Sequence, residues 1–549
     1  MSDTNINSVQ SIISDLSRHL TDTGLVKQTS KQLSSSDTNH ERVDLIYALL
    51  DGAGLLPALL EDRKCNGLAE TLRQKGNEMF KLRKDREALE NYTKSIASAE
   101  EFSEHLALAY ANRSAVLFEK GLFEECLRDI DRALENNYPI KLKSKIIARQ
   151  EKAKTLKTDQ IRTSHFQPIP QIPEDQKNEL IDCASDALKI KYEDGIGRHV
   201  VATRDISIGE VVAVEKPFCH ILIERIYDHC HECLKLCYNL IPCWNCTQAM
   251  FCSQECKNRN ADYHRYECPI LKTTRELGMD KLSILPMKIA IMAKDVYSDI
   301  NSDYTLDDSG VYRSDRYKEI HNLVSNTELR HVSDIYKRSV SAAIIFHLVK
   351  KYTSFFRLSN EDIFKDLVLL HLQTAPCNFH EISELAENDH SHIYDLTEIG
   401  AGAYSFLSMF NHSCDPNIVR HCYGPAIVLR AIRSIKKGQQ CYDNYGYHYA
   451  VMDKDLRETN LKSQYFFKCE CEACMKNWPL FEDMPLIHKD IAIWVDYKKG
   501  DVDVAKGVLD EVLPRISEFE NHLPNRGFAE MQEVVKQCFA LLGNVRKTL

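Results

Sequence analysis

Residues 230–268 read CHECLKLCYNLIPCWNCTQAMFCSQECKNRNADYHRYEC. The stretch contains Cys230-x2-Cys233, Cys243-x2-Cys246, Cys252-x3-Cys256 and His264-x3-Cys268. Two intervening residues let a tight turn aim both sulfurs at one ion, and three place the pair on one face of a helix. Zn2+ prefers four such ligands in a tetrahedron, so eight ligands make two sites. With no ligand missing, each ion is closed and structural rather than catalytic. Cys237 is left over as a spectator.

The chain around this segment has 549 residues, too many for one core; about 150 residues per domain gives three or four domains. Its hydrophobic fraction of 44% and charged fraction of 27% are those of a globular protein. A net charge of −10 argues against general attraction to nucleic acid. Lys257, Arg259 and Arg265 form only a modest basic patch, which disfavours DNA binding by the finger. No apolar run reaches the roughly 18 residues of a membrane span, and Met1 to Gln10 lacks the apolar core of a signal peptide. The expected location is the cytoplasm and nucleus. In such reducing compartments the clustering of the chain's 20 cysteines points to metal rather than disulfides.

A second motif runs Phe410-Asn411-His412-Ser413-Cys414-Asp415-Pro416-Asn417, and a third runs Tyr465-Phe466-Phe467-Lys468-Cys469-Glu470-Cys471-Glu472-Ala473-Cys474. Cys469, Cys471 and Cys474 supply three thiolates, and Cys414 is the natural fourth ligand of a third zinc site. Upstream, Leu68 to Ala99 and His105 to Asn136 both read as helix–turn–helix units. Asn77 and Asn112 lie 35 positions apart, and small residues stand where helices must approach closely. A further helix, Ile140 to Lys157, caps the array, and Gln167 to Pro173, with three prolines, reads as a linker.

Each motif resembles a known family. The 35-residue period is similar to tetratricopeptide repeats. The ligand order of residues 230–268 resembles the MYND finger. That resemblance implies interleaved pairs, with Cys230, Cys233, Cys252 and Cys256 on one ion and Cys243, Cys246, His264 and Cys268 on the other. Tyr238, Trp244, Gln248 and Met250 either line a face for proline-rich corepressor peptides, as in that family, or pack against the next domain. Asn-His-Ser-Cys with the Cys-x-Cys-x2-Cys tail resembles SET domains, whose post-SET zinc clamps the tail over the active site. A SET core split by a MYND finger is the mark of the SMYD family of protein-lysine methyltransferases. The repeats narrow the resemblance to its tetratricopeptide-bearing branch, SMYD type four, over residues 68–155 and 186–478.

The resemblance implies methyl transfer from S-adenosyl-L-methionine to a lysine of a histone or non-histone protein, with three Zn2+ organising the fold. Counting from Gly438 places the tyrosine beside the transferring methyl at Tyr445, with Tyr442 and Tyr447 one register slip away. Tyr465 and Phe467 match the aromatic channel and cofactor positions. Asn411, His412 and Asn378 match cofactor contacts, as does Tyr445. Arg198, in Gly195-Ile196-Gly197-Arg198, is expected to face the cofactor carboxylate. Ile196 and His199 depart from the family pattern, having replaced a lysine and a glycine. They keep alive a rival reading, a non-enzymatic adaptor that recruits chaperones or corepressors. In the repeats, Arg73, Asn77, Asn112, Lys145 and Arg149 match the clamp that holds acidic C-termini of 70- and 90-kDa heat-shock chaperones.

The fold expected is therefore multi-domain α+β: a split β-rich SET fold with an inserted MYND finger, an N-terminal tetratricopeptide array and C-terminal helices. The boundaries are an N-terminal helical region (1–67, with a polar loop Thr29 to Asn39), repeats (68–158) and a linker (159–185). Then come the first part of SET (186–229), the finger (230–268) and a helical insert (269–390). The SET core (391–450), the post-SET zinc region (451–479) and C-terminal helices (480–549) complete the chain.

Overall fold

A computed structural model describes residues 7–157, 168–299, 310–387, 394–486 and 502–546. The first residues of the polar N-terminus and the linker residues 159–167, Gln167 among them, lie outside the described residues.

The chain opens with α1 (Val9–Asp22), α2 (Val26–Ser35) and α3 (Asn39–Gly52). The stretch Thr29 to Asn39, read above as a loop, is mostly helix. Burying Thr29 and Leu33 gives its polar sequence an inward face, and only residues 36–38 form the break. Thr38 and Glu41 then close a reciprocal cap on α3.

Five helices follow: α4 (Asn66–Lys81), α5 (Asp85–Ser98), α6 (Glu104–Glu119), α7 (Phe123–Glu135) and α8 (Lys143–Lys157). They pack as successive antiparallel pairs. Gly76 is dictated by that packing, because a Cβ there would lie 2.6 Å from the Tyr92 ring.

The hairpin β1 (Leu188–Glu193) and β2 (Gly197–Ala202) leads to β3 (Val211–Glu215) and β4 (Cys219–Leu222). The finger contributes β5 (Ile241–Pro242), β6 (Met250–Phe251) and α9 (Gln254–Glu267). The insert supplies α10 (Leu271–Glu276), α11 (Lys281–Met292), α12 (Tyr317–His321), α13 (Val332–Tyr352) and α14 (Glu361–Asn378). Strands β7 (Phe379–Glu387) and β8 (Tyr394–Ala403) pair antiparallel, so the sheet resumes inside the stretch 269–390 that was read as helical.

Next come β9 (Asn411–His412), β10 (Ile418–Tyr423), β11 (Ala426–Ala431) and β12 (Tyr442–Asp443). The chain finishes with α15 (Lys454–Tyr465), α16 (Glu472–Met475), α17 (Val502–Ile516), α18 (Arg526–Leu541) and β13 (Val545–Arg546). The sheets are small: β10-β11-β3, β13-β7-β8-β4, and the two-stranded pairs β1-β2, β5-β6 and β9-β12.

Two contacts make the chain more integrated than its motifs suggest. Helices α1–α3 share a core with the insert, where Leu16, Val43, Ile46 and Leu50 join Val340, Ile344, Phe364 and Val368. Lys365 Nζ meets Asp44 at 2.7 Å on the same contact. The repeats, in turn, share a core with the finger. There Arg113, fully buried, donates to both Asp129 oxygens (2.6 and 2.9 Å), to Thr93 Oγ1 (3.0 Å) and to the finger's Leu240 carbonyl (2.9 Å). Arg132 reaches the neighbouring Asn239 carbonyl at 2.7 Å.

At the C-terminus, β13 adds to β7 in parallel, and Arg546 Nε donates to Glu384 at 2.8 Å.

Candidate active site and metal centres

The centre of the SET core is a crossing of two short strands. β9 lies parallel to β12, with Asn411 opposite Tyr442 and His412 opposite Asp443. Side chains lock the crossing: Tyr442 N–H donates to Asn417 Oδ1 (2.7 Å), Asn417 Nδ2 to the Gln440 carbonyl (3.0 Å) and Asn444 Nδ2 to the Ser413 carbonyl (2.9 Å).

Tyr445 follows directly. Its N–H donates to His412 Nδ1 (3.1 Å), which puts the imidazole proton on Nε2, and its hydroxyl donates to the Phe410 carbonyl (2.9 Å). The Tyr445 ring stands 4.7 Å from Tyr465 and 5.2 Å from His412, centroid to centroid. Phe467 closes the group at 6.1 Å from His412 and 6.4 Å from Tyr465. Tyr447 stands at its edge, 6.5 Å from Tyr465, with its hydroxyl on Gln464. Tyr442 spends its hydroxyl on Gln440 Oε1 (3.0 Å), away from these rings. Burial pushes the Tyr445 and Tyr465 phenols well above their ordinary range, so both stay protonated at neutral pH.

Tyr465 and Phe467 reach this position because α15 ends at Tyr465 and Phe466 turns left-handed (φ 63°). Arg330 lies over the Phe466 ring at 5.3 Å, and Gln464 Nε2 donates to the Pro376 carbonyl (3.0 Å). The tail is thereby fastened to α14.

Asn378 and Arg198 stand outside the ring cluster, and both bond to the segment that follows α12. Both amide hydrogens of Asn378 are committed, to the Val324 carbonyl (2.7 Å) and the Thr374 carbonyl (3.0 Å), so only its Oδ1 is left to offer. Arg198 donates to the Asn322 carbonyl (2.6 Å), tying β2 to the segment after α12. His199 is buried and closes on the Gly197 carbonyl (3.0 Å). Gly195 (φ +85°) and Gly197 (φ +78°) are glycines for backbone reasons, since a Cβ at either would meet open space.

Three ligand groups converge with all their donor atoms within 4.8 Å: Cys230, Cys233, Cys252, Cys256; Cys243, Cys246, His264, Cys268; and Cys414, Cys469, Cys471, Cys474. The interleaving implied by the resemblance to the MYND finger is the one the fold produces. A tetrahedron with Zn–S bonds of about 2.3 Å has edges of about 3.8 Å. The sulfur separations Cys233–Cys252 (3.6 Å), Cys252–Cys256 (3.5 Å), Cys243–Cys268 (3.9 Å), Cys414–Cys474 (3.5 Å) and Cys414–Cys469 (4.0 Å) bracket that length. The donor sets therefore fit a tetrahedral thiophilic ion. Cys237 stays outside, with its thiol on Asn239 Oδ1.

Two supporting residues escaped the reading of the sequence. Glu267, fully enclosed, accepts from His264 Nδ1 (2.9 Å) and from His231 Nε2 (2.6 Å), leaving His264 Nε2 turned toward Cys243 Sγ (3.2 Å). The signal was present as His264-x2-Glu267, one helical turn apart. Arg457, also buried, puts Nε 3.2 Å from Cys414 Sγ and Nη2 3.7 Å from Cys474 Sγ. It opposes the negative charge that four thiolates accumulate around a divalent ion, and no spacing rule marks it. Such outer partners govern ligand orientation and basicity. Glu267→Gln is expected to weaken metal retention by the second finger group about 10- to 100-fold, read by competition with a chromogenic chelator. Unchanged retention would mean that Glu267 only fills space.

The face expected to take peptides is largely occupied. Met250 is fully buried, Trp244 carries Lys257 over its ring (4.6 Å), and Tyr238 lines a small cleft with Arg86 and Leu89 of α5. Packing against the repeats is what most of this face does.

Of the clamp positions, Asn77 and Asn112 are brought together, with Asn77 Oδ1 accepting from Asn112 Nδ2 and from Tyr92 OH, both at 2.8 Å. Lys145 is exposed. Arg73 is paired with Glu70 (2.7 Å), and Arg149 donates to the Ala111 carbonyl and Ser114 Oγ (2.8 Å each).

A SET-domain family profile matches residues 197–446. The profile runs from the glycine turn of β2, across the inserted finger and helices, to the glycine after Tyr445. Fold and site together define a SET-domain protein with a metal-binding finger set into it. Among curated proteins, the chain is 26% identical over 508 residues to the protein-lysine N-methyltransferase SMYD4 of Danio rerio, covering 76% of this chain and 66% of that protein. It is 25% identical over 531 residues to SMYD4 of Homo sapiens (73% and 66%) and 25% identical over 323 residues to the human histone-lysine N-methyltransferase SMYD3 (57% and 62%). The chain is thus similar to protein-lysine methyltransferases of the SMYD family and carries a SET-domain match. It spans 66% of the length of the first of these relatives.

Proposed function

We propose that this protein is a protein-lysine N-methyltransferase that uses S-adenosyl-L-methionine. The observation that carries the reading is the ring cluster of Tyr445, Tyr465 and Phe467, packed beside His412 on the β9–β12 crossing. S-adenosylmethionine, when bound, supplies an electrophilic methyl on a sulfonium; Asn411, His412, Phe467, the Asn378 Oδ1 and Arg198 are the residues we assign to hold it.

The protein's own part is alignment and dehydration. A lysine amine attacks only when neutral, and its ordinary pKa is about 10.4. Aromatic walls disfavour the ammonium and so help it shed a proton to water before reaction. Tyr445 and Tyr465, held protonated, do not serve as the base. The Tyr445 hydroxyl gives its hydrogen to the Phe410 carbonyl, which leaves its oxygen lone pairs free to face developing positive charge. Aligning amine and methyl supplies much of the remaining barrier reduction.

We further infer three Zn2+, two in the finger and one joining Cys414 to the tail. All have four protein ligands, so they hold shape and take no chemical role. A reducing location, cytoplasm or nucleus, suits these thiolate sites. For the repeats, the acidic C-terminus of a heat-shock chaperone is the proposed ligand, received at Asn77, Asn112 and Lys145. Arg73 and Arg149 join only by leaving Glu70 and the Ala111 carbonyl. A proline-rich corepressor peptide keeps Trp244 and Gln248 as its contacts on the finger.

The test is transfer of a radiolabelled methyl group from S-adenosylmethionine to proteins of a cell lysate and to histones. Labelled bands dependent on the protein are expected. Measurable cofactor binding without any labelled band would overturn the enzyme reading in favour of an adaptor.

A further inference from the structure

Glu215, the last residue of β3, is a fully buried carboxylate that the methyl-transfer scheme does not use. Its two oxygens accept from consecutive main-chain N–H groups, Oε1 from Phe406 (2.8 Å) and Oε2 from Leu407 (2.7 Å). Among the described residues no lysine, arginine or histidine forms an ion pair with it. Burying a carboxyl without a cation is costly, so the two N–H donors are what hold it there.

Those donors open the tight turn Leu407–Met409, which delivers the chain to Phe410 and then to Asn411 and His412. The Phe410 carbonyl is the acceptor of the Tyr445 hydroxyl, and His412 Nδ1 is the acceptor of the Tyr445 N–H. The same turn sends Ser408 Oγ to the Asn378 carbonyl (2.9 Å). One carboxylate thus braces the segment from which the cofactor-site residues and the tyrosine's acceptor all depart.

We propose that Glu215 is a positioning residue for this site: its two-oxygen bridge from β3 fixes the turn that sets Phe410, Asn411 and His412 against Tyr445. The proposal rests on the methyltransferase reading for what the site does, but its readout is ligand binding.

Burial raises the Glu215 carboxyl to about 8, against the pull of the two N–H groups. The titratable groups facing it are Asp182 and Cys183 before β1, Tyr312 before α12 and Tyr404 after β8. Burial pushes the Cys183, Tyr312 and Tyr404 protons to hold on well above their usual range, and raises Asp182 from a carboxylate's usual value. Only the ionised carboxylate accepts with both oxygens; the acid has one oxygen occupied by its own proton. The brace is therefore half-formed near pH 8, fills in as pH rises above it and weakens below it.

The probe is S-adenosylhomocysteine, titrated calorimetrically into the full-length protein between pH 6.5 and 9.5, with zinc content and melting temperature as folding controls. Wild-type affinity is expected to rise about tenfold across this range, a normal size for coupling between two sites. Glu215→Gln, which cannot ionise, is expected to bind at the weak level with that rise removed; any residual slope belongs to the ligand's own amine. A Glu215→Gln profile that parallels wild type overturns the proposal. Should Glu215→Gln fail to fold, Glu215→Asp is the second variant: its shorter side chain reaches one N–H at most, and an unaltered pH profile there is equally fatal. Wild type that binds no S-adenosylhomocysteine at any pH sinks the methyltransferase reading itself. Binding with equal profiles sinks only the role of Glu215.

Discussion

Tyr445→Phe is expected to lower the methyl-transfer rate by about 10²- to 10³-fold, the range found when one preorganised hydrogen-bonding group is removed from a reacting centre. The ring stays, so its contacts with His412 and Tyr465 at 5.2 and 4.7 Å survive, and S-adenosylhomocysteine affinity should change little. What disappears is one hydroxyl dipole and the hydrogen it gives to the Phe410 carbonyl. Initial rates with labelled cofactor, set beside a binding isotherm, separate the two effects. A rate within twofold of wild type would remove Tyr445 from the chemistry and move attention to Tyr447, which stands at the cluster's edge. A comparable loss of cofactor binding would instead make Tyr445 a binding residue.

Arg113→Ala is expected to destabilise the protein by about 3 kcal/mol, because it strips the buried Asp129 carboxylate of its two-pronged partner and leaves it only Arg132, at 3.1 Å. The guanidinium is 0% exposed and its partners are internal: Asp129, Thr93 and the Leu240 carbonyl. Arg113→Lys does not rescue it, since an ammonium cannot reproduce the two-pronged geometry. Urea denaturation of single and paired variants measures this directly. Removing both partners, Arg113→Met with Asp129→Leu, should cost far less than Arg113→Ala alone, since replacing a whole buried ion pair by apolar groups is often near neutral. Equal costs would show that the ion pair is not what holds the repeats to the finger.

The metal groups were legible because ligand spacing is local information: turns and helix faces place cysteines in pairs wherever the rest of the chain goes. The repeats were legible for a similar reason, since Gly76 answers to a ring only 16 residues away, Tyr92. The short strands β4 and β13 were not. Each is a few residues long and exists because a partner strand from a distant segment offers a ladder, as β8 does for β4 and β7 for Val545 and Arg546. Nothing in residues 9–52 announces that α1–α3 complete the core of a helical insert some 300 positions later, because one amphipathic face looks like another until its partner is known. Glu267 carried a signal, one helical turn from the ligand His264, that went unread. Arg457, eight residues before Tyr465, has no distinctive pattern, and its meaning comes from the buried sulfurs it meets. Arg73 and Arg149 fit the clamp by position, while in this structure Glu70 and the Ala111 carbonyl engage them, a competition that spacing does not reveal.

A proline-bearing connector separates α8 from β1, and a connector of that kind would ordinarily leave a repeat array to swing. Arg113 and Arg132 remove that freedom by gripping the Leu240 and Asn239 carbonyls of the finger, which is itself tied to β4 where His220 Nε2 meets the Glu232 carbonyl. Anything seated in the repeat groove is accordingly presented at a set distance and bearing from Tyr445. Under the proposed methyl transfer, selection among lysines becomes a question of reach: a bound protein would offer only those side chains that its own shape carries across that fixed gap.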